Sequence, residues 1–246
     1  MDWSDDGIVL AARRHGEHAL IVQLLTREHG RHAGLVRGGA SSRQRGNYQP
    51  GNLVYAQWRG RLPEHLGAYV CEVKRSHAAV VLDDPLRLAA LSAACAVGEA
   101  ALPEREPHRP VFEGFLALLD ALTGHDAWGE VYIRWELGVL AELGYGLDLS
   151  ACAATGRNDE LAFVSPKSGR AVSLSAGEPY RDKLLPLPAF LAVSGPASPG
   201  DLEWGELQQG LRLTGFFLKS HLFAALGRDM PAARQRLAER LAKAGT

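Results

Sequence analysis

Acidic residues are missing from one long stretch of this chain. No carboxylate occurs from Arg31 to Arg61, a run of thirty-one residues that carries Arg31, Arg37, Arg43, Arg45, Arg59 and Arg61, with Tyr48, Tyr55 and Trp58 among them. Other absences bound the class. No apolar run approaches the roughly 20 residues that span a bilayer, so no membrane partner is expected. Met1-Asp2-Trp3-Ser4-Asp5-Asp6 has neither the basic nor the apolar region of a signal peptide. The three cysteines, Cys71, Cys95 and Cys152, are few, odd in number and far apart, which suits reduced thiols in a cytoplasm better than a disulfide framework. Lysine is scarce beside arginine.

Catalytic patterns are also absent. There is no glycine loop ending in Gly-Lys-Ser/Thr and no Gly-x-Ser-x-Gly elbow. Asp5-Asp6 and Asp83-Asp84 are adjacent pairs whose side chains diverge on either a strand or a helix, so they read as caps or turns rather than as a two-metal nuclease centre. His15 with His18, and His29 with His32, have His-x-x-His spacing, but both pairs straddle expected turns and lack a third ligand. No metal and no cofactor is expected, and no enzyme.

What is present is an uneven charge. The whole chain carries a net charge of −1, yet residues 1–80 hold eleven Lys/Arg against seven Asp/Glu, and residues 81–246 hold sixteen against twenty-one, so the halves stand at +4 and −5. A basic front half suits a local polyanion site. Guanidinium groups pair bidentately with phosphates, and aromatic faces offer bases a stacking surface. The residues expected to contact nucleic acid are Arg31, Arg37, Arg43, Arg45, Arg59, Arg61, Lys74 and Arg75, with Trp58 either stacking on bases or filling a core.

The element pattern changes near residue 80. Residues 7–14, 19–27, 32–37, 52–59 and 68–75 read as five short strands, although a helix could instead be drawn through 17–28, and 38–51 reads as a Gly/Ser/Arg loop. Five strands in so short a span fit an OB-type barrel. Asp83-Asp84-Pro85 starts a helix over 86–101. Further helices are expected at 111–122, 128–143, 201–226 and 231–241, with Gly144 and Gly146 closing the third. The fold class is thus α+β: an N-terminal OB-fold β-barrel (1–80), then a mainly α-helical domain (81–246) with an irregular insert at about 148–180. Arg228, Arg234, Arg236, Arg240 and Lys243 give the last helix a basic face.

Three segments carry a family resemblance. Gly30-Arg31-His32-Ala33-Gly34-Leu35-Val36-Arg37-Gly38-Gly39-Ala40 with the loop behind it, Tyr132 to Gly146, and Leu147 to Cys152 together resemble the RecO family of bacterial recombination mediators, in that family's order. The resemblance implies binding of single- and double-stranded DNA and annealing of complementary strands. It implies partnership with RecR and with the C-terminal tail of single-stranded DNA-binding protein. A cytoplasmic, nucleoid-associated protein, monomeric when free, follows from it. An arginine beside an apolar groove can take a terminal carboxylate while the groove takes aromatic side chains. By resemblance Arg134 and Trp135 are where that tail would bind. The plain alternative is a salt bridge from Arg134 to Glu130 or Glu136.

The chain departs from the family at its zinc knuckle. Many relatives close a tetrahedral zinc site here with paired Cys-x-x-Cys motifs. This chain has Cys152, then Thr155-Gly156 where a second cysteine would fall, and no cysteine at 169–175. The insert is a degenerate knuckle, expected to be held by turns and by packing of Leu161, Phe163, Val164, Val172 and Leu174, with Cys152 a small buried residue. Two rival readings remain: a protein–protein adaptor whose barrel does not bind DNA, and a metal-dependent nuclease using the histidine pairs.

Overall fold

The structure, a computed structural model, describes residues 1–62, 64–124, 127–192 and 204–244. It forms two compact units, Met1–Thr123 with Pro231–Leu237, and Gly124–Met230 with Ala238–Thr246.

The first unit is built on five strands, β1 (Asp2–His15), β2 (Ala19–Thr26), β3 (Gly30–Val36), β4 (Leu53–Arg59) and β5 (Ala68–Arg75), closed into a barrel in the order β1-β2-β3-β5-β4. Alternation along each strand sends Leu20, Val22, Leu24, Val36, Val54, Ala56, Trp58 and Tyr69 into one core. β1 starts well before residue 7. Its first half pairs with β4 from Asp2↔Arg59 to Ile8↔Leu53, its second half pairs with β2 from Gly7↔Thr26 to His15↔Ala19, and a bulge lies between Val9 and Ala11. The acidic start is tolerated because Asp5 is put to use. Its carboxylate accepts the backbone N–H of Asp6 at 2.8 Å and of Glu28 at 2.7 Å, which ties the β2–β3 turn to β1.

Closure is thin at one place. β3 meets β5 through a single parallel pair, Leu35↔Ala68, with Leu35 N–H donating to Gly67 O at 3.1 Å. Gly34 makes this seam possible, since a Cβ there would sit 2.3 Å from the Tyr69 ring.

Past the barrel come a single-turn α1 (His77–Val80), α2 (Pro85–Ala101) and α3 (Arg109–Thr123). Asp84 caps α2 by accepting from Leu86 N at 2.9 Å and Arg87 N at 3.0 Å, with proline in the first turn. α2 lies against β1, where Cys95 Sγ donates to Val9 O at 3.7 Å. The first unit therefore continues past the barrel into both helices.

The second unit contains α4 (Trp128–Glu142), a small sheet and α6 (Trp204–Phe217). Gly144, at φ +86°, follows α4, while Gly146 keeps a negative φ. A buried carboxylate links two helices: Glu136 on α4 accepts from Tyr132 Oη at 2.9 Å and from Thr214 Oγ1 of α6 at 2.5 Å. α6 runs into a π-turn (Leu218–Phe223), so the long helix expected over 201–226 is present from 204 onward; 201–203 lie outside the described residues.

The insert is more regular than its sequence suggests. β6 (Leu161–Val164), β7 (Ala171–Ser173) and β8 (Leu185–Pro186) form a three-stranded sheet in the order β7-β6-β8, with a single-turn α5 (Leu174–Gly177) after β7. Strands of two to four residues are too short to show a period of two. Leu161, Phe163, Val164 and Val172 are buried, as expected, but Leu174 begins α5 and is 49% exposed. The last helix, α7, spans Ala232–Ala244. Arg228 precedes it and Arg234 is 1% exposed, so its basic face is left to Arg236, Arg240 and Lys243. Among the described residues no helix is long and apolar enough to cross a membrane.

Candidate nucleic-acid interface

The loop from Gly38 to Gly51 leaves β3 and returns to β4 with a positive φ at both ends, +72° and +93°. Its tip is exposed while its base is fastened. Tyr48 drops into the barrel core at 4% exposure, on a 3₁₀ turn spanning Arg45–Tyr48. Asn52 Nδ2 donates to Gly46 O at 3.0 Å and to Asn47 O at 3.2 Å. Ala40 N donates to His18 O at 3.2 Å. Arg43 and Arg45 thus stand exposed on a loop whose stem is fixed. Among the described residues neither has an ion-pair partner.

Three more arginines converge where the barrel closes. Arg37 follows β3, Arg59 ends β4, and Arg61 lies in the turn beyond it. With Gly60, Ala68, Tyr69 and Val70 they line a cleft of about 600 Å³. The strand register explains the convergence, because Ala68 pairs with Leu35 on one side and with Arg59 on the other. Val70 is 71% exposed and gives the cleft an apolar wall beside its cations. None of the three arginines has an ion-pair partner among the described residues.

The remaining expected contacts are engaged within the fold. Arg31 is buried: its Nε donates to Leu102 O at 2.7 Å and its guanidinium meets Glu104 at 3.2 Å, so it braces the chain after α2. Lys74 bonds both carboxylate oxygens of Asp6, at 2.9 and 2.8 Å. Arg75 pairs with Asp120 at 2.6 Å on an exposed surface. Trp58 fills the core at 2% exposure, its indole N–H donating to Leu66 O at 3.1 Å, and its ring packs against Trp3 and His32 rather than standing out on the surface. Gly60 and Gly67 lie so close to its ring that a Cβ on either would clash.

In the second unit, Arg134 is ion-paired with Glu130. Its Nε donates to Glu130 at 2.8 Å, a second nitrogen donates to Phe190 O at 2.7 Å, and the guanidinium lies 5.9 Å from the Phe190 ring centroid. About half of its side chain remains exposed, whereas Trp135 is buried.

Cys152 occupies the degenerate knuckle. It is fully buried, Ser173 N–H donates to its Sγ at 3.2 Å, and Sγ lies 3.4 Å from the Ser173 hydroxyl. Burial pushes the thiol pKa up, but hydrogen bonds from Ser173 and Thr155 outweigh it and bring the thiol down to about 6. The turn around it is held by Cys152 N–H to Arg157 O at 2.7 Å and Gly156 N–H to Cys152 O at 2.8 Å. No group of three or more His, Cys, Asp or Glu side chains suited to a metal occurs among the described residues. His29 instead stacks on Trp3, and His32 lies inside the barrel. Trp3, at the start of β1, stacks on His29, and Arg105, in the connection between α2 and α3, donates to Glu64 O; nothing in the local sequence singles out either, because their partners lie far along the chain.

Similarity to known proteins follows the whole chain. Residues 1–76 match the family model described as Recombination protein O N terminal, and residues 82–229 match Recombination protein O C terminal. A protein of Rhodospirillum centenum named DNA repair protein RecO is 58% identical over 248 residues, covering 100% of this chain and 97% of its own. Proteins of the same name from Rhodospirillum rubrum and Phenylobacterium zucineum are 52% and 51% identical, covering 98% and 100% of this chain and 96% and 99% of their own. Matched by both family models and by relatives along nearly their full length, the chain belongs to the RecO family.

Proposed function

We propose that this protein acts in DNA repair and recombination as a non-enzymatic mediator whose barrel holds DNA by its phosphates. The observation that carries the reading is the set of five arginines, Arg37, Arg43, Arg45, Arg59 and Arg61, exposed around one loop and one cleft with no ion-pair partner among the described residues. A guanidinium that no carboxylate neutralises keeps its full charge for an incoming polyanion. Contacts of this kind release counterions and ignore base identity, so binding weakens steeply with salt and varies little with sequence. Neutralising two complementary strands on one surface lowers their mutual repulsion, which is the step annealing requires. The family's partners, RecR and the tail of single-stranded DNA-binding protein, complete the reading. Arg134 is the one expected tail contact that reaches the surface, and a tail carboxylate there would compete with Glu130. The protein would work at the nucleoid in the cytoplasm.

Fluorescence anisotropy of a labelled single strand across a salt series tests this. Arg43→Glu with Arg45→Glu is expected to lower affinity at least about tenfold at low salt and to flatten the salt dependence, with the thermal unfolding midpoint unchanged. Wild-type protein that fails to bind any DNA at low salt, yet recovers protein partners, would instead make the barrel an adaptor.

A further inference from the structure

A second cavity opens beside the arginine cleft and is chemically unlike it. It has a volume of about 380 Å³, and its walls include Trp3, His29, His32, Arg105, Asp2 and Glu28, with Trp58 also lining it. The aromatic groups are already stacked. Trp3 and His29 lie parallel, 4.1 Å between centroids and 6° between planes, and His32 meets Trp3 edge-on at 5.1 Å. Trp3 also stacks on Trp58 at 5.8 Å. The stack is fixed from behind, because His29 Nδ1 lies 3.3 Å from Asp5, whose carboxylate already holds the turn. His29 keeps about a third of its side chain exposed.

Arg105 is set in place by its backbone. It is one of two non-glycine residues with a positive φ, +60°, among the described residues. Its N–H donates to Arg31 O at 2.8 Å, and its guanidinium donates to Glu64 O at 2.9 Å. One guanidinium carries five donors, so these contacts leave others for a ligand.

We propose that this pocket takes one unstacked nucleobase of a single DNA strand, an inference that rests on the DNA-binding reading and adds a base-holding subsite to it. Charge argues against a phosphate here, since Asp2 and Glu28 share the wall with Arg105. The same mixture suits a base, whose exocyclic amines donate to carboxylates and whose ring nitrogens and carbonyls accept from a guanidinium. A flat ring extends a Trp–His stack, and stacking tolerates every base because each has a π-face. Continuity with the cleft supplies the strand. Asp2 pairs with Arg59 across β1 and β4, and Trp58, which lines the pocket, pairs across β4 and β5 with Tyr69, which lines the cleft. A strand with phosphates on Arg59 and Arg61 therefore passes the pocket mouth. In a paired duplex the bases face each other, so the pocket confers single-strand preference.

The test compares a natural single strand with a strand of the same phosphate count built wholly of abasic residues, and with a duplex, all by anisotropy at one salt concentration. Wild-type protein is expected to bind the natural strand about tenfold more tightly than the abasic one. His29→Leu is expected to bring the two within about twofold while leaving duplex affinity unchanged, with a cooperative thermal transition showing that the variant is folded. Arg105→Gly, which suits the positive φ, is a second variant expected to act in the same direction. Equal wild-type affinity for natural and abasic strands, with salt-steep binding retained, overturns the base pocket and leaves the phosphate reading standing. Variants that weaken natural, abasic and duplex DNA alike also overturn it, because a general loss is not a base contact. Absence of binding to every DNA at low salt overturns the phosphate reading and this one together.

Discussion

Two groups of cations on one barrel have opposite fates. Arg31, Lys74 and Arg75 each meet a carboxylate, Glu104, Asp6 and Asp120, whereas Arg37, Arg43, Arg45, Arg59 and Arg61 meet none among the described residues. The distinction is spatial. Glu104 and Asp120 come from the segments after the barrel, and Asp6 comes from the acidic first strand, so carboxylates absent from the local sequence arrive from elsewhere in the first unit. They reach the two ends of the arginine-rich segment's neighbourhood and leave its middle uncovered. A cation count along the chain therefore overstates the uncompensated positive charge, which the uncovered subset carries.

Charge reversal in the cleft gives the largest effect. Arg37→Glu with Arg59→Glu is expected to weaken DNA binding by more than about tenfold while the unfolding midpoint holds, because both side chains are exposed and unpaired among the described residues. The mirror experiment is Arg31→Met. Loss of its bond to Leu102 O and its pair with Glu104 is expected to reduce stability by about 2 kcal/mol in urea melts, with DNA affinity of the folded protein essentially unchanged. If Arg31→Met weakened DNA binding as strongly as the cleft pair, the division between braced and open cations would fail.

A smaller effect comes with acid. Burial drives His32 down to about 4 from 6.5, against a raising hydrogen bond to Ala33 O. The unfolded chain then binds the extra proton first, so stability falls as pH drops from 6.5 towards 4 and levels off below. His32→Phe, which cannot protonate, is expected to show a shallower decline than wild type over that window in thermal melts. Arg75→Ala is the smallest: the pair with Asp120 is 63% exposed on both sides, and its removal is expected to cost less than about 1 kcal/mol and to leave DNA affinity in place.

The barrel strands were legible because alternating apolar residues and glycine-bearing turns mark them one by one. Their ends were less so. Trp3 to Asp6 carry too many acids to resemble a strand, and only the bonds that Asp5 makes to the β2–β3 turn explain them. Trp58 allowed two readings in sequence, and the two glycines pressed against its ring decide for the core. Arg31 looked like its neighbours because its brace, Glu104, lies 73 residues away. The small sheet of the insert leaves no pattern in the sequence because its strands are too short, although the buried set Leu161, Phe163, Val164 and Val172 is visible as composition. Arg134 allows two readings in sequence, because the Phe190 carbonyl that its guanidinium reaches lies 56 residues away.

The single rung joining β3 to β5 has a thermodynamic consequence. A ladder of one pair is the cheapest place for the barrel to open, so its amide, Leu35 N–H, is expected to exchange with solvent ahead of those in the longer ladders. Arg37 and Arg59 stand on either side of that rung. On the proposed reading, a polyanion touching both would act as a clasp across the gap, and by linkage whatever keeps the ring shut would raise affinity while binding would keep the ring shut. Ligand occupancy and ring integrity are then two readings of one equilibrium.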